Sequence, residues 1–386
     1  MIKHPPSKRL RITIVQGPYF PVPALLGSGA EKVWHDLGTE FARRGHKVVH
    51  LSRRFSSLPL SECINGVDHL RLKSFDAPKS KLIYRSLDAI YSLRAWKALP
   101  EGADIVITNC MWLPIFIRTK RYGALYVHVS RYPKGQMWLY RHAARIQTVS
   151  TPVAEAIVGE LGERATHVRV IPPSINNVSS NDYCVNRVRN RTVLYVGRLH
   201  PEKGVHLLIS AFAKISLPDW RLVIVGPHRS EHGGGGEAYY RDLTASAAAI
   251  SQRVSFEGLV PQSELNGYFE KASLLVYPSL AERGESFGMV PVEAMSCGCP
   301  VIVSGLACFR DYLVPEYNGL VFDHLSQNPI AELSAVLSRA MTDDNLRDAL
   351  SARGLEKAAE YTLEKIADRY IEDFTELVDS QSGRQG

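Results

Sequence analysis

The chain has 386 residues, 45% hydrophobic and 22% charged, an ordinary globular balance but too long for one average core, so two units of roughly 150 to 200 residues are expected. No apolar run reaches eighteen residues, and the basic stretch Met1–Arg9, with its two prolines, leads into only about five apolar residues, which argues against a membrane span and a signal peptide. Residues 1–170 carry 26 Lys and Arg against 12 Asp and Glu, while 171–386 carry 20 against 27, so the net charge of +7 combines a basic half with an acidic one.

A basic half suits nucleic acid, a membrane surface or an anionic substrate; without a recognisable nucleic-acid motif or a dense Lys/Arg run, the first is disfavoured. Residues 12–15 predict a buried first strand. A helix over 30–44 follows, with Val33, Leu37 and Phe41 spaced four apart, then Gly45 and a strand over 48–51, which is the start of a Rossmann-like sheet. Gly27-Ser28-Gly29 lies about eleven residues past the first strand and lacks a third glycine three residues on, so a nicotinamide fingerprint is disfavoured. Residues 79–99 predict a helix with Leu82, Leu87, Ile90, Leu93 and Trp96 on one side and Lys81, Arg85, Arg94 and Lys97 elsewhere. Two readings of it stay open: a core helix with a solvated basic face, or a face that docks, with Arg118, Lys120 and Arg121, on anionic lipid. Further strands are expected over 105–108 and 125–127. His128 would then stand just past a strand end, where parallel sheets place ligands, although a lone histidine there can also be structural. Residues 146–150, a helix from Pro152 and residues 168–173 close this half.

Residues 176–190 are polar and read as a linker. A strand over 193–196 runs into Gly197-Arg198-Leu199-His200-Pro201-Glu202-Lys203-Gly204, where two cations five apart on a Gly-bounded loop can converge on a pyrophosphate or can be plain surface charge. After a strand over 222–225, Gly233–Gly236 reads as a mobile insertion, because no strand leads directly into it. The run 272–277 ends at Pro278-Ser279, and a helix is expected from about Gly288, followed by a strand over 301–303. Glu285 then stands before the helix and Glu293 about one and a half turns inside it, so both can face one pocket. The N–H groups of Ser286, Phe287, Gly288 and Met289 are placed to meet an anion such as a diphosphate, with Gly288 allowing close approach. On spacing alone, Glu285 could equally be a capping acid and Glu293 a solvated charge. The six cysteines lack zinc-like spacing and are expected to be reduced thiols. Residues 361–377 form an amphipathic helical pattern with Ile366, Tyr370 and Phe374 spaced four apart.

Pro278-Ser279, Glu285-Ser286-Phe287-Gly288, Glu293-Ala294-Met295-Ser296, Gly298 and Pro300-Val301-Ile302 together resemble the E-x7-E signature of retaining glycosyltransferases of family GT4, with Ser296 in place of the usual Ala. Gly197-Arg198 and Lys203-Gly204 resemble that family's G-R-x-x-x-x-K-G hallmark. Ser28-Gly29-Ala30-Glu31 is similar to its G-G-x-E loop, with only Gly29 carried over, and Gly258-Leu259-Val260 is similar to its base-contacting segment. Pro173-Ser174 and the run Gly305–Asp311 depart from the family pattern.

The resemblance implies an α/β GT-B fold, two Rossmann-like domains facing each other across a cleft. Residues 1–175 would bind acceptor, 176–190 link, 191–360 bind the nucleotide sugar, and 361–386 cross back to the first domain. It implies transfer of a hexose-type sugar, with retention, from a nucleotide-diphosphate sugar to a glycan or lipid-linked anionic acceptor in cell-surface polysaccharide or glycolipid synthesis. Arg198 and Lys203 would hold the diphosphate, Glu285 and His128 the donor sugar near the reacting centre, Glu293 the ribose, and Gly29, Leu259, Val260, Ser286, Phe287, Gly288 and Met289 the rest of the donor. No D-x-D pair occurs in the sequence, so neither a metal nor a cofactor is expected. The location expected is cytoplasmic, with an anionic membrane face as a docking surface. A sugar-nucleotide epimerase of GT-B fold and a non-catalytic sugar-nucleotide-binding protein are the alternatives.

Overall fold

The computed structural model describes residues 8–25, 29–162, 165, 167–175 and 189–382. Nearly all of the expected linker, Cys184 and Ser28 lie outside the described residues. The chain divides into two compact units, 1–174 with 363–386, and 175–362.

The first unit is built on β1 (Arg11–Val15), α1 (Gly29–Arg43), β2 (Lys47–Arg53), β3 (Ser61–Ile64), β4 (Val67–Leu72), α2 (Lys81–Ala98), β5 (Ile105–Thr108), α3 (Leu113–Phe116), β6 (Ala124–Val129), β7 (Arg145–Thr148), α4 (Thr151–Leu161) and β8 (Val168–Val170). Its sheet runs β3-β4-β2-β1-β5-β6-β7-β8. All pairs are parallel except the β3–β4 hairpin at the edge. Asn65-Gly66 turns that hairpin with both residues at positive φ, 50° and 81°, the conformation a tight turn between right-twisted strands requires. β5 is a short Ile/Val run and β6 is buried along its whole length, because both sheet faces are covered. Strand order reverses between β1 and β5.

α2 is turned opposite to the expectation. Asp88, Tyr91, Ser92 and Ala95 are its buried residues, while Leu82, Ile90 and Leu93 are exposed. The reason is polar: Asp88 Oδ1 accepts hydrogen bonds from Ser92 Oγ at 3.2 Å and from the Trp112 N–H at 3.3 Å, fixing the loop that starts α3. Burial raises the Asp88 carboxyl to about 6, partly offset by those bonds.

The second unit contains β9 (Asn190–Val196), α5 (Val205–Ala213), β10 (Arg221–Val225), α6 (Gly236–Ala247), β11 (Val254–Gly258), α7 (Gln262–Lys271), β12 (Ala272–Tyr277), α8 (Met289–Ser296), β13 (Val301–Ser304), β14 (Leu320–Phe322), α9 (Pro329–Thr342) and α10 (Asp344–Ala358). Its six strands are parallel in the order β11-β10-β9-β12-β13-β14, reversing between β9 and β12.

The last helix, α11 (Leu363–Ser382), belongs to the first unit. Ile366, Tyr370 and Phe374 are buried as their spacing predicts, with Tyr370 5.2 Å from the Trp34 ring and Phe374 5.0 Å from Tyr126. Asp373 pairs with Arg145 at 2.8 Å. Among the described residues, no helix is long and apolar enough to cross a membrane.

Candidate active site

In open parallel sheets a crevice opens at the carboxyl ends of the two strands where the order reverses. In the second unit those strands are β9 and β12, and the loops leaving them carry both hallmark motifs. Backbone contact fixes the two loops against each other. The Leu280 N–H donates to the Glu202 carbonyl at 2.7 Å, and a Cβ at Gly204 would lie 2.0 Å from the Pro278 carbonyl oxygen. Gly204 is also left-handed, φ 68°, closing the single 3-10 turn Pro201–Lys203, so only glycine meets both demands.

The consequence is that Lys203 and Glu285, 82 positions apart, meet. Lys203 Nζ lies 2.5 Å from Glu285 Oε2, and both side chains are about nine-tenths buried. The same oxygen accepts from Tyr277 Oη at 3.0 Å and from Ser279 Oγ at 3.1 Å, while Lys203 Nζ also donates to Tyr277 Oη at 3.2 Å. Burial first, and then the neighbouring carboxylate, push the Tyr277 phenol well above its ordinary range, so it stays protonated and donates. Three donors on one oxygen fix the carboxylate's orientation. Tyr277 and Ser279 were not among the expected site residues, although a tyrosine ending an otherwise aliphatic buried strand was a usable signal.

Arg198 is more exposed. It donates to the Gly233 carbonyl at 2.5 Å and to Glu202 Oε1 at 2.9 Å. That contact corrects the reading of Gly233–Gly236 as a mobile insertion. The Gly233, Gly234, Gly235 and Gly236 N–H groups donate to the Ser230, Arg229, Leu199 and His228 carbonyls, so the turn is fastened onto the Arg198 loop. With every N–H engaged it is not a phosphate cradle either.

The helix expected near Gly288 is α8, with Gly288 as its N-cap. The reason for glycine there differs from close ligand approach: φ is 78°, and a Cβ would lie 2.5 Å from the Phe309 ring. Ser286, Phe287 and Met289 flank it, Phe287 being buried against Tyr312 and Tyr361 at 5.2 and 5.7 Å. Glu293 is half-buried inside α8. Leu259 and Val260 follow β11, Leu259 being exposed.

Two expected site residues belong to the first unit. Gly29 is the first residue of α1; among the described residues a Cβ there meets no heavy atom within 4 Å, so their packing makes no demand for glycine. His128 lies inside β6 rather than beyond it, because the strand continues to Val129. Its surroundings fix its tautomer. Gln147 Nε2 donates to the Thr148 and Ile171 carbonyls at 2.8 and 2.7 Å, so Gln147 Oε1 faces His128 Nδ1, 2.5 Å away, and Nδ1 carries the proton. Nε2 is left as the basic nitrogen, and burial lowers the imidazole pKa despite the bond to Gln147. At neutral pH this histidine is an uncharged hydrogen-bond acceptor.

Comparison with known proteins gives the following. A family model described as glycosyl transferases group 1 matches residues 185–357, and one described as glycosyltransferase family 4 matches 27–177. A D-inositol 3-phosphate glycosyltransferase of Streptosporangium roseum is 29% identical over 256 residues, which cover 61% of this chain and 57% of that protein. The lipopolysaccharide 1,2-N-acetylglucosaminetransferase of Salmonella typhimurium is 25% identical over 311 residues, 75% of this chain and 77% of the relative. Among solved structures, sucrose-phosphate synthase from Thermosynechococcus elongatus superposes with a TM-score of 0.76 at 22% identity, covering 96% of this chain and 100% of that one. Anabaena HepE, solved with UDP, gives 0.71 at 18% identity, covering 95% and 100%.

Proposed function

Because this chain belongs to the family 4 glycosyltransferases of GT-B fold, we propose that it transfers a hexose-type sugar from a nucleotide-diphosphate donor to a glycan or lipid-linked acceptor, with retention of anomeric configuration and without a metal. One observation carries this reading: a buried Lys203–Glu285 pair at the carboxyl ends of β9 and β12. As the bond from the anomeric carbon to the diphosphate oxygen breaks, negative charge gathers on the leaving group and positive charge on the carbon. Lys203 and Arg198 supply fixed positive charge to the first, which is the work a divalent ion does in metal-dependent transferases. Glu285, paired with Lys203, faces the second. An acceptor hydroxyl attacks from the face the diphosphate leaves, its oxygen bonds to the anomeric carbon, and its proton passes to the departing phosphate oxygen.

The acceptor is assigned to the first unit, at its own strand-order reversal between β1 and β5. There Asn109 Nδ2 donates to Gln16 Oε1 at 2.8 Å, which leaves Gln16 Nε2 as a donor and Asn109 Oδ1 as an acceptor with no partner among the described residues. The solved HepE complex with UDP and the lipopolysaccharide transferase relative support a nucleotide-sugar donor and a glycan acceptor respectively.

A donor panel tests the proposal: UDP-, GDP- and ADP-sugars in EDTA, with and without crude membrane lipid, following nucleoside diphosphate release beside Glu285→Ala and Lys203→Ala. Release from one donor that rises with lipid, survives EDTA and collapses in both variants is the expected result. Abolition by EDTA would overturn the metal-free step. Donor conversion that needs no acceptor would indicate an epimerase, and binding without cleavage a sugar-nucleotide-binding protein.

A further inference from the structure

The outward side of α2 has a composition opposite to that of an ordinary surface helix. Leu82, Ile83, Ile90 and Leu93 are 76%, 52%, 44% and 39% exposed. At 100° per residue these four fall with Ser86 and Lys97 on one stripe, diametrically away from buried Asp88, Tyr91, Ser92 and Ala95. Beside the stripe stands the exposed cation Arg85; Lys79 and Lys81 are exposed at the N-terminal end, Lys79 ahead of the helix and Lys81 in its first turn on the side of Asp88. Between residues 79 and 99 the only acid is Asp88, which is buried. At its N-terminal end the helix is tied to the rest of the unit through Tyr84, whose ring lies 4.0 Å from Tyr19.

We propose that this face of α2 is a docking surface for an anionic lipid bilayer, with Leu82, Ile83, Ile90 and Leu93 entering the acyl boundary and Lys79, Arg85 and Lys97 lying among the phosphates. The choice of occupant follows from charge. A protein partner or a second copy of this helix would have to cover several lysine and arginine heads with no acid of α2 to answer them. A negatively charged headgroup layer neutralises them while the hydrocarbon beneath takes the apolar stripe. The surface of the first unit that carries this stripe belongs to the half of the chain with the basic excess, which adds long-range attraction to the same membrane.

The test is co-sedimentation of the whole protein with vesicles of phosphatidylcholine alone or with about a third phosphatidylglycerol. No donor is present, so failure here leaves the transfer reaction untouched and failure there leaves this result readable. Binding to the anionic vesicles only is expected, falling steeply as NaCl is raised from about 0.05 to about 0.5 M. Leu82→Ser/Ile90→Ser/Leu93→Ser should weaken it at least about tenfold, and Arg85→Glu/Lys97→Glu about 25-fold or more, taking each cation near the surface as about fivefold. Both variants should keep the wild-type rate of donor cleavage in solution, which shows that they are folded. Equal recovery in the supernatant with either vesicle would overturn the proposal. So would full competition by soluble glycerol phosphate, which would indicate a headgroup pocket, or a vesicle-free dimer that the triple serine variant dissolves, which would make a second copy the occupant.

Discussion

Replacing Lys203 by Met leaves Glu285 Oε2, about nine-tenths buried, with Tyr277 and Ser279 as its remaining partners among those that hold it now. At 2.5 Å the direct attraction is about 7 kcal/mol for an effective dielectric constant near 20. Burying the two charges offsets much of that, so the cost of breaking the pair is set by the stranded carboxylate, about 3–5 kcal/mol. Glu285→Gln strands the ammonium instead and should cost a similar amount. Lys203→Met with Glu285→Gln removes both charges together and should cost much less than the sum of the singles, with a coupling of about 2 kcal/mol or more. Hydrogen exchange over peptides covering β12 and α8 reads this local stability directly. Turnover should fall by about two to four powers of ten in each single variant, Lys203→Met losing the fixed positive charge and Glu285→Gln the carboxylate, and should not recover in the double one, which lacks both. If each single change cost under about 1 kcal/mol and the double variant equalled their sum, the buried pair would not be the organising contact argued here.

Arg198→Ala should lower turnover by about two to four powers of ten while leaving the thermal midpoint nearly unchanged, since its partners lie on an exposed loop; matched losses of stability and rate would assign it a scaffold role. Gln147→Leu removes the group that fixes the His128 tautomer, and 15N chemical shifts of the imidazole should change from a single Nδ1–H form to a mixture, with a fall in turnover. Gly204→Ala should prevent native folding of the second unit, because its Cβ would sit 2.0 Å from a backbone oxygen, and circular dichroism of the purified variant checks it. Acid should weaken the first unit through a histidine stack: His50 and His69 pair across β2 and β4 with rings 5.3 Å apart, and none of their ring nitrogens has a hydrogen-bond partner among the described residues. Burial, then His35 and Arg71, lowers His69 to about 4 against the opposing pull of Glu62 and Asp68. The folded state therefore holds fewer protons than the unfolded one between pH 6.5 and about 4, and stability falls as pH drops through that window, by about 3 kcal/mol for His69. His69→Gln should flatten the dependence of the thermal midpoint on pH; an unaltered slope would place the acid sensitivity elsewhere.

Most of the central strands and both hallmark loops were legible because buried parallel strands announce themselves as short apolar runs and because glycines mark the turns that follow them. Three features were not. The polarity of α2 was misread since a 3.6-residue period gives the angle between faces but not which face is inward; a carboxylate with backbone donors waiting for it, Asp88, outweighed Leu82 and Leu93. The Asn65-Gly66 hairpin carried a usable signal that was passed over, between strands whose residues 62, 64 and 68, 70 alternate in polarity less cleanly than a central strand. The company of Glu285 was partly out of reach: the pairing with Lys203 spans 82 positions and depends on two backbones touching at Gly204 and Pro278, which no local pattern encodes. Gln147 was hidden for the same reason, since its role rests on which carbonyls hold its amide.

The membership of α11 in the first unit has a consequence for how the protein is made. The sheet β1–β8 is complete in sequence by Val170, yet Trp34, Phe41 and Tyr126 find their covering rings on Tyr370 and Phe374. During synthesis the whole of residues 175–362 must leave the ribosome in between, about 10 to 40 seconds at ordinary elongation rates. For that interval the nascent first unit carries an open aromatic face that chaperones can hold and a neighbouring nascent chain can mispair with. A chain stopped just before Leu363 would therefore lose its earliest-made unit while keeping the one made later.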